Sequence, residues 1–147
     1  EARELASWHP NVVVKIPIDS EGLEAIHRCG AEGIKINVTL VFSANQALLA
    51  ALAGATFLSP FVGRLDDVSY AGMELIRECV HLVETHDLPA RVLAASLRHP
   101  LHVAQAAAAG AHIGTIPAAL IPQMLKHPLT DIGIDRFLAD ARTAGLI

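Results

Sequence analysis

Asn11-Val-Val-Val-Lys-Ile-Pro17 is the stretch on which the fold turns. Three valines and an isoleucine in so short a run, closed by a proline, read as a β-strand covered on both faces. Lys15 stands inside it, and an ammonium taken out of water tends to give up its proton. The resulting neutral amine is a nucleophile for carbonyl carbon. The ordinary alternative is a lysine at a strand end that snorkels to solvent. Pro17 ends the strand and Asp19-Ser20-Glu21 opens a helix, so Lys15 belongs near the carboxyl end of its strand, where α/β proteins build their sites.

Outward from this strand the chain alternates. Strands are predicted over 11–17, 35–42, 56–62, 91–96 and 112–117, and helices over 20–30, 43–54, 69–86, 99–109, 118–126 and 133–144. Glu1 to Trp8 reads as the tail of a preceding helix. Strands separated by helices imply right-handed crossovers and a parallel sheet. The punctuation agrees: Ser20 leads into Glu21 and Glu24, Ser43 precedes Ala44 to Ala53, and Gly54 and Gly110 close their helices. No linker or low-complexity segment interrupts residues 1–147, which are therefore read as one domain.

Five βα units could form an open doubly wound sheet or part of a closed barrel, and side-chain parity separates the two. One parity is apolar in every strand: Val12, Val14 and Ile16; Val38, Leu40 and Phe42; Leu58, Pro60 and Val62; Leu93, Ala95 and Leu97. The other turns polar toward the carboxyl end, through Lys15, Asn37, Thr39, Ser59, Ser96, Arg98 and Thr115, with Phe61 among them. A sheet covered by helices on both faces has no reason to gather polar residues on one of them, whereas a barrel lumen does. An α/β fold forming part of a closed barrel is expected.

Composition excludes several classes. The chain has 147 residues, 52% of them hydrophobic, and a net charge of -4 without a basic stripe, which argues against nucleic acid as a partner. No apolar run reaches the roughly 20 residues that span a bilayer, so no membrane partner is expected and a cytoplasmic location is. Cys29 and Cys79 fall in predicted helices without metal-ligand spacing and read as small core residues. Among eight histidines, His9, His99 and His127 precede proline and suit turns or helix entries, while His99 and His102 share a face but lack a third zinc ligand. No metal is expected. Asp66-Asp67 reads as the polar start of a helix. Lys35 and Lys126 lie at the far strand end and near a helix end, and Arg77 and Arg136 on helix surfaces.

The segments Val-Val-Val-Lys-Ile-Pro (12–17), Ile-Asn-Val-Thr-Leu-Val-Phe-Ser (36–43), Ser-Pro-Phe-Val-Gly-Arg (59–64) and Ala-Ala-Ser-Leu-Arg-His-Pro (94–100) resemble successive strand motifs of the transaldolase family, in particular its short microbial branch. The resemblance implies a (β/α)8 barrel whose fourth strand carries a Schiff-base lysine, here Lys15. The chain would then hold about the last five βα units, without the family's acidic residue on the first strand, its Asn on the second and its carboxylate on the third. Two unpaired sheet edges would follow.

The same resemblance implies that Thr39 positions the catalytic water and that Ser59, Arg64, Ser96 and Arg98 contact substrate or its phosphate, with Asn37 and Phe61 beside them. Phe61, where the similar fructose-6-phosphate aldolases carry Tyr, favours dihydroxyacetone transfer between sugar phosphates over release of free dihydroxyacetone. No cofactor is implied. A homo-oligomer is, with the amphipathic segment Ile132 to Ala144 as a docking element. An inactive barrel fragment serving as an assembly module is the alternative from another class.

Overall fold

The computed structural model describes residues 1–147, and its elements alternate as the sequence predicts. In chain order they are α1 (Ala2–Ser7), β1 (Val14–Pro17), α2 (Ser20–Ala31), β2 (Ile36–Val41), α3 (Ala44–Leu52), β3 (Phe57–Pro60), α4 (Val62–Asp66), α5 (Gly72–Thr85), β4 (Arg91–Ala94), α6 (Pro100–Ala108), β5 (Ile113–Gly114), a 3-10 turn (Ala118–Leu120), α7 (Ile121–Leu125) and α8 (Pro128–Thr143). Local chemistry fixes the helix ends. Asp19, not Ser20, caps α2 by accepting from Gly22 N–H at 2.6 Å, Ser43 Oγ accepts from Gln46 N–H, and the His99 ring caps α6 ahead of Pro100. Gly54 and Gly110 leave α3 and α6 with φ of 106° and 84°.

All four strand pairings are parallel, and the five strands lie in the order β1-β2-β3-β4-β5. Every strand is therefore beside its neighbour in sequence, and no reversal of direction occurs along the sheet. A doubly wound sheet needs such a reversal. An arc of a (β/α)8 barrel does not, and this α/β arrangement is that arc.

The core lies between the sheet and its helices. Val14, Ile16, Ile36, Val38, Leu58, Val62 and Val92 from the sheet side meet Ile26, Ala50, Ile76, Cys79 and Val83 from the helices, all buried. Full burial of one such aliphatic side chain is worth about 1.5–3 kcal/mol. Cys29 and Cys79 are both free thiols in this layer, and burial pushes the Cys79 thiol up to about 12, which suits an inert packing group.

Three expectations are corrected. The parity of β2 and β4 does not run unbroken: Leu40 and Ser96 each adopt φ of 59°, a left-handed conformation. In β2 the register shifts between Val38 and Val41, so Val41 enters the core while Leu40 and Phe42 turn outward. In β4 the core residues are Val92 and Ala94, and Leu93 faces the other way; the left-handed Ser96 then returns Leu97 to the core. Second, Asp66 and Asp67 end α4 instead of opening a helix. Third, α8 begins at Pro128, with His127 as its cap, and buries none of its residues. On these assignments Leu58→Ala costs about 2–5 kcal/mol of unfolding free energy, whereas Leu93→Ala, half-buried on the opposite face, costs clearly less in the same denaturant titration.

Candidate active site

Lys15 pairs in register with Asn37, and Asn37 with Phe57, so the three form a row across β1, β2 and β3 on the face away from the helices. Neighbouring strands are about 4.8 Å apart, which puts Lys15 directly beside Asn37. Ser59, buried on β3, donates its hydroxyl to Asn37 Oδ1 at 2.6 Å. That bond turns the Asn37 carbonyl toward β3 and leaves its amide NH2 without a partner in the chain. Two residue pairs further up, Thr39 lies opposite Pro17 and is buried.

The expectation that Lys15 is buried fails. The residue is exposed, with no hydrogen bond or ion pair, while its neighbours Val14 and Ile16 are buried. Val14 and Ile16 join the core, while Lys15 lines an open cavity of about 310 Å3 at the free edge of β1, beside Glu1, Ala2, Leu5 and Ala25. The sequence run is apolar on both parities, so it could not show that one face lacks a cover.

Above this row stands an aromatic and cationic group. Phe61 continues β3 by pairing with Ala95, and its ring meets that of Phe42 edge to face at 5.7 Å. Arg64, in the first turn of α4, holds its guanidinium 5.0 Å from the centre of the Phe61 ring and has no carboxylate partner. Ser96 and Thr115 come together elsewhere, lining one cavity of about 240 Å3 with Leu97, Ile116 and Pro117.

Arg98 is held in an ion pair with Asp67. Its two Nη groups donate to the two carboxylate oxygens of Asp67 at 2.5 and 2.6 Å. Its stem crosses Gly63: a Cβ there would fall 2.6 Å from Arg98 Nε and 2.4 Å from the Ser96 carbonyl, so only glycine fits. Behind it the His102 ring accepts from Arg98 N–H at Nδ1 (3.3 Å) and sits 3.1 Å from Asp66 Oδ2 at Nε2. These partners define the neutral tautomer, with Nε2–H donating to the carboxylate. Asp66 also accepts from Gly72 N–H at 2.9 Å and so closes the start of α5.

His99 stacks on His102 at 3.7 Å and caps α6, a structural duty in place of zinc ligation. No three metal-ligating side chains converge anywhere. The structure thus brings Lys15, Asn37 and Ser59 together on one face, and the contacts of Asp67 and His102 with Arg98 are ones the sequence reading did not expect. The available signal was the run Arg64-Leu-Asp-Asp67, two carboxylates within one turn after a strand end.

Consecutive parallel βα units, with polar side chains gathered at the strand carboxyl ends and helices on the other face, define a segment of a βα-barrel protein. The chain belongs to the transaldolase/fructose-6-phosphate aldolase family, whose model matches residues 1–145. It is 61% identical over 140 residues to a "Probable transaldolase" of Thermus thermophilus, covering 95% of this chain and 63% of that relative. To the protein of the same name from Desulforudis audaxviator it is 61% identical, covering 95% and 65%, and to that from Thermoanaerobacter sp. 57% over 146 residues, covering 99% and 68%. The chain thus spans about two thirds of the length of these relatives.

Burial, assisted by the nearness of His99 and of the Arg98 guanidinium, pulls His102 below the ordinary histidine range, while Asp66 opposes the shift. The unfolded chain then takes up a proton at His102 before the folded one does, so stability falls as pH drops below about 6.5 and is unaffected above it. Thermal midpoints measured from pH 7.5 to 5 fall more steeply in the wild type than in His102→Gln.

Proposed function

We propose that the chain carries the Schiff-base half of a transaldolase site. The observation that carries this reading is Lys15 in register beside Asn37, to which Ser59 donates its hydroxyl, with Thr39, Phe61 and two arginines toward the same end of the strands. The unprotonated Lys15 amine adds to the keto carbon of a ketose phosphate such as fructose 6-phosphate or sedoheptulose 7-phosphate. Loss of water gives an imine, and Thr39 positions that water. The imine accepts the electron pair of the C3–C4 bond, an aldose phosphate departs, and a dihydroxyacetone enamine stays on Lys15. Addition of the enamine to an acceptor aldose phosphate, followed by hydrolysis, completes the transfer. No metal or cofactor enters this scheme.

The other residues take supporting roles. Asn37 and Ser59, joined by their 2.6 Å hydrogen bond, face the sugar hydroxyls. Phe61 keeps water from the enamine. Arg64 and Arg98 bind the phosphate, because a guanidinium stays charged and offers paired donors. Of the two, Arg64 has the unpaired guanidinium and Arg98 is engaged by Asp67. No strand of this chain offers a carboxylate for proton transfer, and the part of the relatives that lies beyond the matched segment is the expected source of one.

In the full-length protein, borohydride with fructose 6-phosphate adds a reduced sugar fragment to the peptide containing Lys15. Lys15→Ala abolishes this labelling, and labelling of another residue contradicts the assignment. Formation of free dihydroxyacetone without an acceptor aldehyde would favour aldolase chemistry instead. Arg64→Ala and Arg98→Ala impair phosphorylated donors about 10- to 100-fold and leave unphosphorylated ketoses nearly unchanged, measured as kcat/KM.

The exposed apolar side chains of α8 favour a second proposal, that the protein is a homo-oligomer. Leu129, Ile132 and Phe137 present their surfaces to solvent, and Phe137 is 76% exposed. A second copy would cover them. Phe137→Asp therefore shifts the full-length protein to smaller species in gel filtration, and an unchanged elution volume contradicts the docking role.

A further inference from the structure

We infer that Asp67 is a positioning residue for the sugar phosphate, acting only through Arg98. The inference rests on the reading of Arg98 as a phosphate ligand. Asp67 takes one N–H from each Nη of Arg98, at 2.5 and 2.6 Å. A guanidinium has five N–H donors, so the second hydrogen on each Nη and the Nε–H remain for an anion. Asp67 therefore fixes the plane of the fork without using it up.

The setting is built to hold that plane. Asp67 N–H donates to Gly63 O at 3.1 Å, and Gly63 N–H donates to Ser96 O at 3.1 Å, which stitches the α4 turn to the end of β4. The Arg98 stem lies against Gly63, where no side chain could be accommodated. The Arg98 backbone N–H is fixed by His102 Nδ1. Backbone, stem and fork of one arginine are thus each held by a different contact.

The pair is half exposed, 48% and 49% at the two side chains, and surface ion pairs of this kind add little to folding stability. Its removal should register in substrate placement and not in unfolding. A competing role is also chemically possible, in which the carboxylate is an internal anion that phosphate must displace. The two roles predict opposite signs.

The test is a double-mutant cycle in the full-length protein with Asp67→Asn, Arg98→Ala and the double variant, assayed with a phosphorylated and an unphosphorylated donor. Asp67→Asn is expected to raise KM for the phosphorylated donor about 5- to 50-fold, the range of coupling between contacting side chains, with kcat and the thermal midpoint nearly unchanged. It should leave the unphosphorylated donor unaffected and add nothing in the Arg98→Ala background. A lowered KM, an equal loss on both donors, or an additive loss in the double variant overturns the inference. If Arg98→Ala impairs phosphorylated donors while Asp67→Asn is silent, the positioning role alone is wrong. If Arg98→Ala is itself silent, the phosphate reading falls and this inference with it.

Discussion

Side chains on a parallel strand alternate between two faces, and in this chain helices cover only one of them. That constraint sorts the residues before any chemistry begins. Val14, Ile16, Val38, Leu58 and Val92 go to the covered face and supply the core. Lys15, Asn37 and Ser59 go to the other, where Lys15 keeps its contact with water and the buried Ser59 hydroxyl is satisfied by Asn37. The uninterrupted strand order sets β1, β2 and β3 side by side, so that Lys15, Asn37 and Ser59 come from successive strands.

Two left-handed residues then modify the rule at the point where it matters. Leu40, within β2, and Ser96, just past β4, break the alternation, and each returns the next core residue, Val41 or Leu97, to the helix side. The break frees the chain beyond β2 and β4 from the sheet register. Phe42 can therefore lean on Phe61, and Arg98 can cross Gly63 to reach Asp67. The upper rim is held by specific polar and aromatic contacts, the lower part by aliphatic packing. Catalytic rims of βα barrels divide labour in this way because chemistry and stability are placed at opposite ends.

Much of this was legible in the sequence because short apolar runs between capped helices leave few options. All five strands were found, and the polar parity of β1, β2 and β3 was read correctly up to Thr39 and Phe61. Parity in β4 was read one residue out of phase, since nothing local marks a left-handed Ser96 that is not glycine. The α4 turn was missed because Phe61 starts it without a side-chain cap. The Asp67–Arg98 pair spans 31 residues, beyond any helical spacing rule. Lys15 was expected to be buried because β-branched neighbours cannot report whether a helix covers their face, and the residue is exposed.

The central claim is that Lys15 forms a carbon–nitrogen bond to the keto carbon of a sugar phosphate whose phosphate lies between Arg64 and Arg98. The most direct measurement is a crystal structure of the full-length protein after reduction in the presence of fructose 6-phosphate. The account predicts continuous density from Lys15 Nζ to the former keto carbon. Density joined to another side chain, or a phosphate bound away from both arginines, would contradict it.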